Sequence, residues 1–128
     1  SICRNLMKLP DEPESHRAYF TTLKNPKTSA PIDEALVTYF AEGKSYTGDQ
    51  TLEVSCHGSP AVAEEIIQCL LQAGCRHAER GEFTFRAFMS GKIDLVQAES
   101  VLSLVESETK KAAEASLRQL KGFFKVFF

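Results

Sequence analysis

Residues 80–95 read RGEFTFRAFMSGKIDL, crowding three phenylalanines, two arginines, a lysine, a glutamate, an aspartate and two glycines into sixteen positions. Aromatic walls for a flat ring, with Arg86 or Lys92 to meet an acidic group, would make this stretch one side of a ligand cleft. Gly91 before Lys92 would let the backbone turn and approach a ligand closely. The competing reading is a loop pinned to the core by Phe83 and Phe88, its charges in water. A second residue with chemical potential is Glu53, in TLEVSC, on the strand face opposite Leu52 and Val54. If that face is solvent, Glu53 is an ordinary surface charge. If it is covered, a lone carboxylate there needs a partner or a ligand donor, and the amidine-like edge of a polar heterocycle is one such donor.

Other constellations carry less. GKS at 43–45 matches the end of a phosphate-binding loop, but the glycine required five positions before Gly43 is Thr38, so the signature fails. Cys3, Cys56, Cys69 and Cys75 show no CxxC pair, which favours reduced thiols over a zinc site or disulfides. His57 reads more simply as a turn residue ahead of a helix than as a base or ligand, since no triad-like context accompanies it. No catalytic residue and no metal ligand is assigned.

The elements that must position these residues follow from pattern. Ile2, Leu6 and Leu9 share one helical face. RAYFTTL (17–23) and ALVTYF (35–40) read as strands joined by the turn chemistry of KNPKTSAP. TLEVSC (51–56) alternates as a third strand. Ser59 as N-cap with Pro60 behind it opens a helix whose stripe is Val62, Ile66, Cys69, Leu70 and Ala73, ended by Gly74. Asp94 with Gln97 forms a variant capping box for a second helix, striped from Leu95 and Ala98 to Leu117 and Leu120. Glu106–Lys110 and Glu114–Arg118 are favourably ordered pairs on its polar side. At 1.5 Å per residue that helix would be roughly 40 Å long, more than a compact domain needs, so it is expected to enter a further helical layer. The apolar ending, 123–128, has no evident role. The reading is α+β: a mixed sheet with flanking helices over 1–92, followed by one long helix over 93–122.

A chain of 128 residues with 43% hydrophobic and 25% charged residues suits one globular domain with a small appendage. Its net charge of −2 argues against wholesale nucleic-acid binding by a basic surface. No apolar run approaches the ~18 residues that cross a membrane, so the expected location is cytoplasmic.

Three longer stretches carry a pattern in order and in spacing: SYTGDQTLEVSCHGSP (45–60), RGEFTFRAFMSGKIDLVQAES (80–100) and SLRQLKG (116–122). They resemble SYTGEDxxExxCHGGP, PGEFTxRAFLNGKxDLxQAEA and SLxxLxG of the MnmE (TrmE) tRNA modification GTPase family, in its N-terminal part. The resemblance implies an aminomethyltransferase-like folate-binding domain that holds a formyl- or methylene-tetrahydrofolate and forms a homodimer. It implies a following helical domain carrying a GTPase, where GTP, Mg and K act, and an MnmG-like flavoprotein with which the wobble uridine of tRNA is modified. Carried over by position, the family's folate contacts fall on Glu53 and Lys92, with Phe83 and Arg86 as weaker candidates. A further folate-contacting arginine of the family has no counterpart in these residues, nor have its opening strand and its GTPase domain, so this chain alone is expected to be inactive. Arg80, Ser90, Gln50 and Ser59 depart from the family pattern without removing Glu53 or Lys92. Two other readings stand beside this one: a dimerisation scaffold that binds no ligand, and an aminomethyltransferase-like folate enzyme.

Overall fold

The computed structural model describes the backbone of residues 2–115 and 122–127 and the side chains of residues 3–106. A short 3-10 helix, Ile2–Asn5, leads to strands β1 (Arg17–Lys24), β2 (Pro31–Phe40) and β3 (Thr51–Cys56). Helices α1 (Pro60–Gln72), α2 (Glu82–Met89) and α3 (Leu95–Ala115) follow, and then strand β4 (Gly122–Phe127). The strands form one sheet in the order β1-β2-β3-β4. The α+β class is as expected from the sequence. Where a mixed sheet was expected, the pairings among the described residues are antiparallel throughout.

Alternation decides the faces of this sheet. Thr21 and Leu23, Ala35 and Val37, Leu52 and Val54 point inward and are buried. Ile66, Cys69 and Leu70 of α1 close over them, together with Cys3, Leu6 and Met7. All four cysteines are free thiols, and burial pushes the Cys3 thiol up to about 11. The predicted third strand and the start of α1 are found as expected. Ser59 has extended N-cap angles, φ −81° and ψ 126°, and makes no side-chain capping bond; Pro60 occupies the first turn. β2 begins earlier than its apolar run because Pro31 takes the first strand position, where no ladder N–H is needed.

The outer face is different. Phe20 of β1 stands opposite Leu36 of β2, and both are exposed, at 69% and 48%. Farther along the same face lie Thr38, Phe40, Thr51 and Glu53, set by the β2–β3 register that pairs Thr38 with Glu53 and Phe40 with Thr51. Beyond β3 the chain's own residues 122–127 add the edge strand, with Glu53 opposite position 125. The apolar ending therefore extends the sheet, except for Phe128, which lies outside the described residues.

RGEFTFRAFMSGKIDL holds a helix, although its residue pattern has no clean helical period. α2 starts after Gly81, whose φ of 75° favours glycine. It seats through Thr84 and Ala87, both buried. Phe85 and Met89 face outward, at 60% and 66% exposed. With two of its four large apolar residues facing outward and small residues seated inside, α2 lacks a continuous buried apolar stripe, and that hid the helix. Phe83 and Phe88, expected to anchor the segment, are only half-buried.

α3 is capped as its sequence indicates: the Asp94 backbone N–H donates to Gln97 Oε1 at 3.0 Å, and the Gln97 N–H donates to Asp94 Oδ1 at 2.7 Å. Asp94→Ala is expected to lower stability by about 1 kcal/mol, measured as a shifted urea midpoint; an unmoved midpoint would show that α3 does not depend on its cap. Ala98 is buried against the body of the domain, whereas Leu95 and Leu102 are 56% and 37% exposed. The Glu106–Lys110 and Glu114–Arg118 pairs, Leu117, Leu120 and the SLRQL stretch lie outside the described side chains.

Candidate functional site

The loop 41–50 turns back on itself at Gly43 and Gly48, with φ of 81° and 83°. It stands over the outer face of β3. Between them lies a cleft of about 140 Å³. Its floor is Phe40, Thr51 and the half-buried Glu53; the loop supplies Lys44, Ser45, Tyr46 and Thr47; and α2 supplies Phe83. Three aromatic rings and a carboxylate thus meet in one depression, a combination suited to a flat heterocycle with hydrogen-bond donors along one edge. The space accommodates a ring system rather than a drug-sized ligand.

Of the four candidate residues, Glu53 and Phe83 line this cleft together. Lys92 and Arg86 stand outside its lining. The Lys92 ammonium donates to the Gly43 carbonyl and so ties the end of α2 to the loop. Arg86 donates to Glu82 Oε2 from Nε at 2.9 Å and to Asp49 Oδ2 at 3.2 Å. The sequence reading missed Lys44, which it met only within the failed GKS match, and Tyr46, whose hydroxyl is 3.4 Å from Thr84 Oγ1. The SYTG stretch (45–48) was the available signal for Tyr46, and Lys44 is the residue directly before it.

Glu82, directly before Phe83 of the cleft, is held by several hydrogen bonds. Its side chain is 9% exposed. It takes both Arg76 amines at 2.7 and 2.9 Å, the Glu79 N–H at 2.9 Å and the Arg86 guanidinium. The Arg76 hydrogen bonds, followed by the Glu79 backbone bond, hold its carboxyl down from 4.5 to about 2. Because the folded value is depressed, its bonds are fully present above the unfolded value near 4.5 and are lost as the pH falls toward 2. His57 lies apart from the cleft's lining. Its backbone N–H and Nδ1 both meet Asp33, at 2.9 and 2.7 Å. Burial raises the Asp33 carboxyl, and the hydrogen bonds from His57 outweigh it, so the net direction is downward.

Fold and cleft together define an α+β sheet domain with a carboxylate-floored, aromatic-walled depression on the outer face of its sheet. Residues 1–92 match the family described as GTP-binding protein TrmE N-terminus, and the chain belongs to that family. It is similar to the tRNA modification GTPase MnmE of Bdellovibrio bacteriovorus, 60% identical over 114 residues, covering 89% of this chain and 24% of that protein. The MnmE of Koribacter versatilis is 46% identical over 111 residues, 87% of this chain and 24% of that protein. That of Thermus thermophilus is 48% identical over 98 residues, 77% and 23%. The chain thus spans about a quarter of the length of the curated relatives it matches. Among the described residues no helix is long and apolar enough to cross a membrane.

Proposed function

We propose that this chain is the one-carbon tetrahydrofolate-binding and dimerising part of a cytoplasmic tRNA modification GTPase. The observation that carries the reading is Glu53, half-buried on the floor of a cleft with Phe40, Tyr46 and Phe83 around it. A folate pterin offers an aminopyrimidinone edge whose N–H groups a carboxylate accepts in pairs, and its flat ring suits aromatic walls. The depression takes the pterin; the remainder of the ligand would extend past the loop, where Lys44 stands. Dimerisation is supported by the exposed Phe20–Leu36 pair on the outer face. In the whole protein the bound folate would serve modification of a tRNA wobble uridine beside an MnmG-like flavoprotein, with GTP, Mg and K used in a separate GTPase domain.

A second reading, a dimerisation scaffold without ligand, is favoured by one feature: the Lys92 ammonium is engaged by the Gly43 carbonyl rather than standing in the cleft. Titration calorimetry of the 128-residue chain with 5-formyltetrahydrofolate separates the two. The folate reading expects saturable binding below millimolar concentration, and Lys92→Ala weakening it by about three- to tenfold through loss of one charged contact. No heat at millimolar ligand leaves the scaffold reading standing. Binding that Lys92→Ala leaves untouched removes Lys92 from the site.

A further inference from the structure

The cleft's loop wall is fastened to α2 and its flanks along its whole length. Lys92 holds Gly43, Thr84 reaches Tyr46, Ser90 Oγ donates to the Thr47 carbonyl at 2.7 Å and Arg86 meets Asp49. Asp49 in turn is a junction. Its carbonyl accepts from Ser45 Oγ and from Thr51 Oγ1, and Ser45 and Thr51 are two of the residues that shape the cleft. Behind Arg86 stands Glu82, which grips that guanidinium from the far side while Arg76 and the Glu79 N–H hold Glu82 itself.

We propose that Glu82 is a positioning residue for the cleft: through Arg86 and Asp49 it sets where the 43–50 loop stands over Glu53, without touching a ligand itself. The geometry supports action at a distance because each link is a charged, directional bond. Arg86 cannot rotate toward solvent while two of its nitrogens are held by Glu82, so its remaining amine is aimed at Asp49. Glu82 is also the residue directly before Phe83, which lines the cleft, and its backbone N–H donates to the Glu79 carbonyl at 3.0 Å. The consequence for affinity rests on the folate reading above. The consequence for the loop does not.

Hydrogen exchange of the full chain tests the loop directly. Glu82→Gln keeps the shape but presents an amine to donors, and amides in 43–50 are expected to exchange about tenfold faster while those of α1 (60–72) are unchanged. Asp49→Asn, at a half-buried position, is expected to raise exchange in the same loop by about three- to fivefold. The double variant should go no further than Glu82→Gln alone, because both changes cut one relay. Unchanged loop exchange in Glu82→Gln, or additive effects in the double variant, overturns the proposal. Should Glu82→Gln also loosen α1, Asp49→Asn decides: loop exchange that stays at the wild-type value sinks the idea. Titration of 5-formyltetrahydrofolate into Asp49→Asn, corrected for folded fraction, is expected to show three- to fivefold weaker binding; equal affinity beside a loosened loop would overturn the link to the ligand. A wild-type chain that binds no folate defeats the folate reading, while the exchange measurement still decides the relay.

Discussion

Glu53→Ala is expected to weaken binding of 5-formyltetrahydrofolate by about 100-fold or more in titration calorimetry, with little change in the stability of the free chain. Two charge-assisted hydrogen bonds from an aminopyrimidinone edge are lost together, each worth on the order of 1.5–3 kcal/mol when the acceptor is ionised. The lower end of their sum already exceeds two decades in affinity. Stability should change less, because Glu53 lies on the outer face of β3, away from the Leu52 and Val54 side that meets α1. Glu53→Gln sharpens the test. It keeps the volume and one acceptor but turns an amine toward the ligand's donors, so its affinity should fall between those of wild type and Glu53→Ala. Retention of wild-type affinity by Glu53→Ala would show that the carboxylate is a surface charge and that any folate bound lies elsewhere.

The second large effect is at Gly48. A Cβ built there would stand 2.8 Å from both Cβ and Oγ of Ser90, on a backbone with φ of +83°. Left-handed angles cost a non-glycine residue about 1–2 kcal/mol, and forcing the loop off α2 adds about 1–3 kcal/mol of overpacking. Gly48→Ala is therefore expected to destabilise the chain by about 2–5 kcal/mol in urea denaturation and to open the cleft wall. Ser90→Gly removes the obstructing atoms but not the backbone strain. The double variant should accordingly recover part of the loss, and a double variant no more stable than Gly48→Ala would show that the close approach costs nothing. The outcome also bears on why a serine fits at position 90, where the resemblance led one to expect asparagine. Ser90 Oγ bonds the Thr47 carbonyl while sitting against Gly48, a contact that suits a short side chain.

Legibility varied with the range of the forces involved. β3 was read at its true bounds because alternation over TLEVSC is enforced by a face that must be buried. The Asp94–Gln97 box was equally legible, since a helix cap is made within four residues and needs nothing from elsewhere. α1 followed from its stripe, and Ile66 is fully buried as that stripe requires. The early start of β2 was invisible, because Pro31–Glu34 is extended by pairing with β1 rather than by its own apolar content. α2 was missed for the opposite reason. Thr84 and Ala87 are the seated residues, and small size is not a hydrophobic signal; the Glu82–Arg86 spacing was a better clue, but it needed Arg76 and Asp49 to give it meaning.

The sequence by itself determined the class of the domain, the positions of α1, of the capped start of α3 and of the third strand, and through its motifs the family to which it belongs. It also singled out Glu53 and Phe83, which the fold brings into one cleft. Only the tertiary structure decided that Lys92 reaches the Gly43 carbonyl, that Arg86 serves as a link between Glu82 and Asp49, and that residues 122–127 complete the edge of the sheet beside β3. Local pattern specifies which face of an element is buried. Which charged tip meets which loop depends on contacts between residues 37 to 49 positions apart, and no periodicity within one element encodes those.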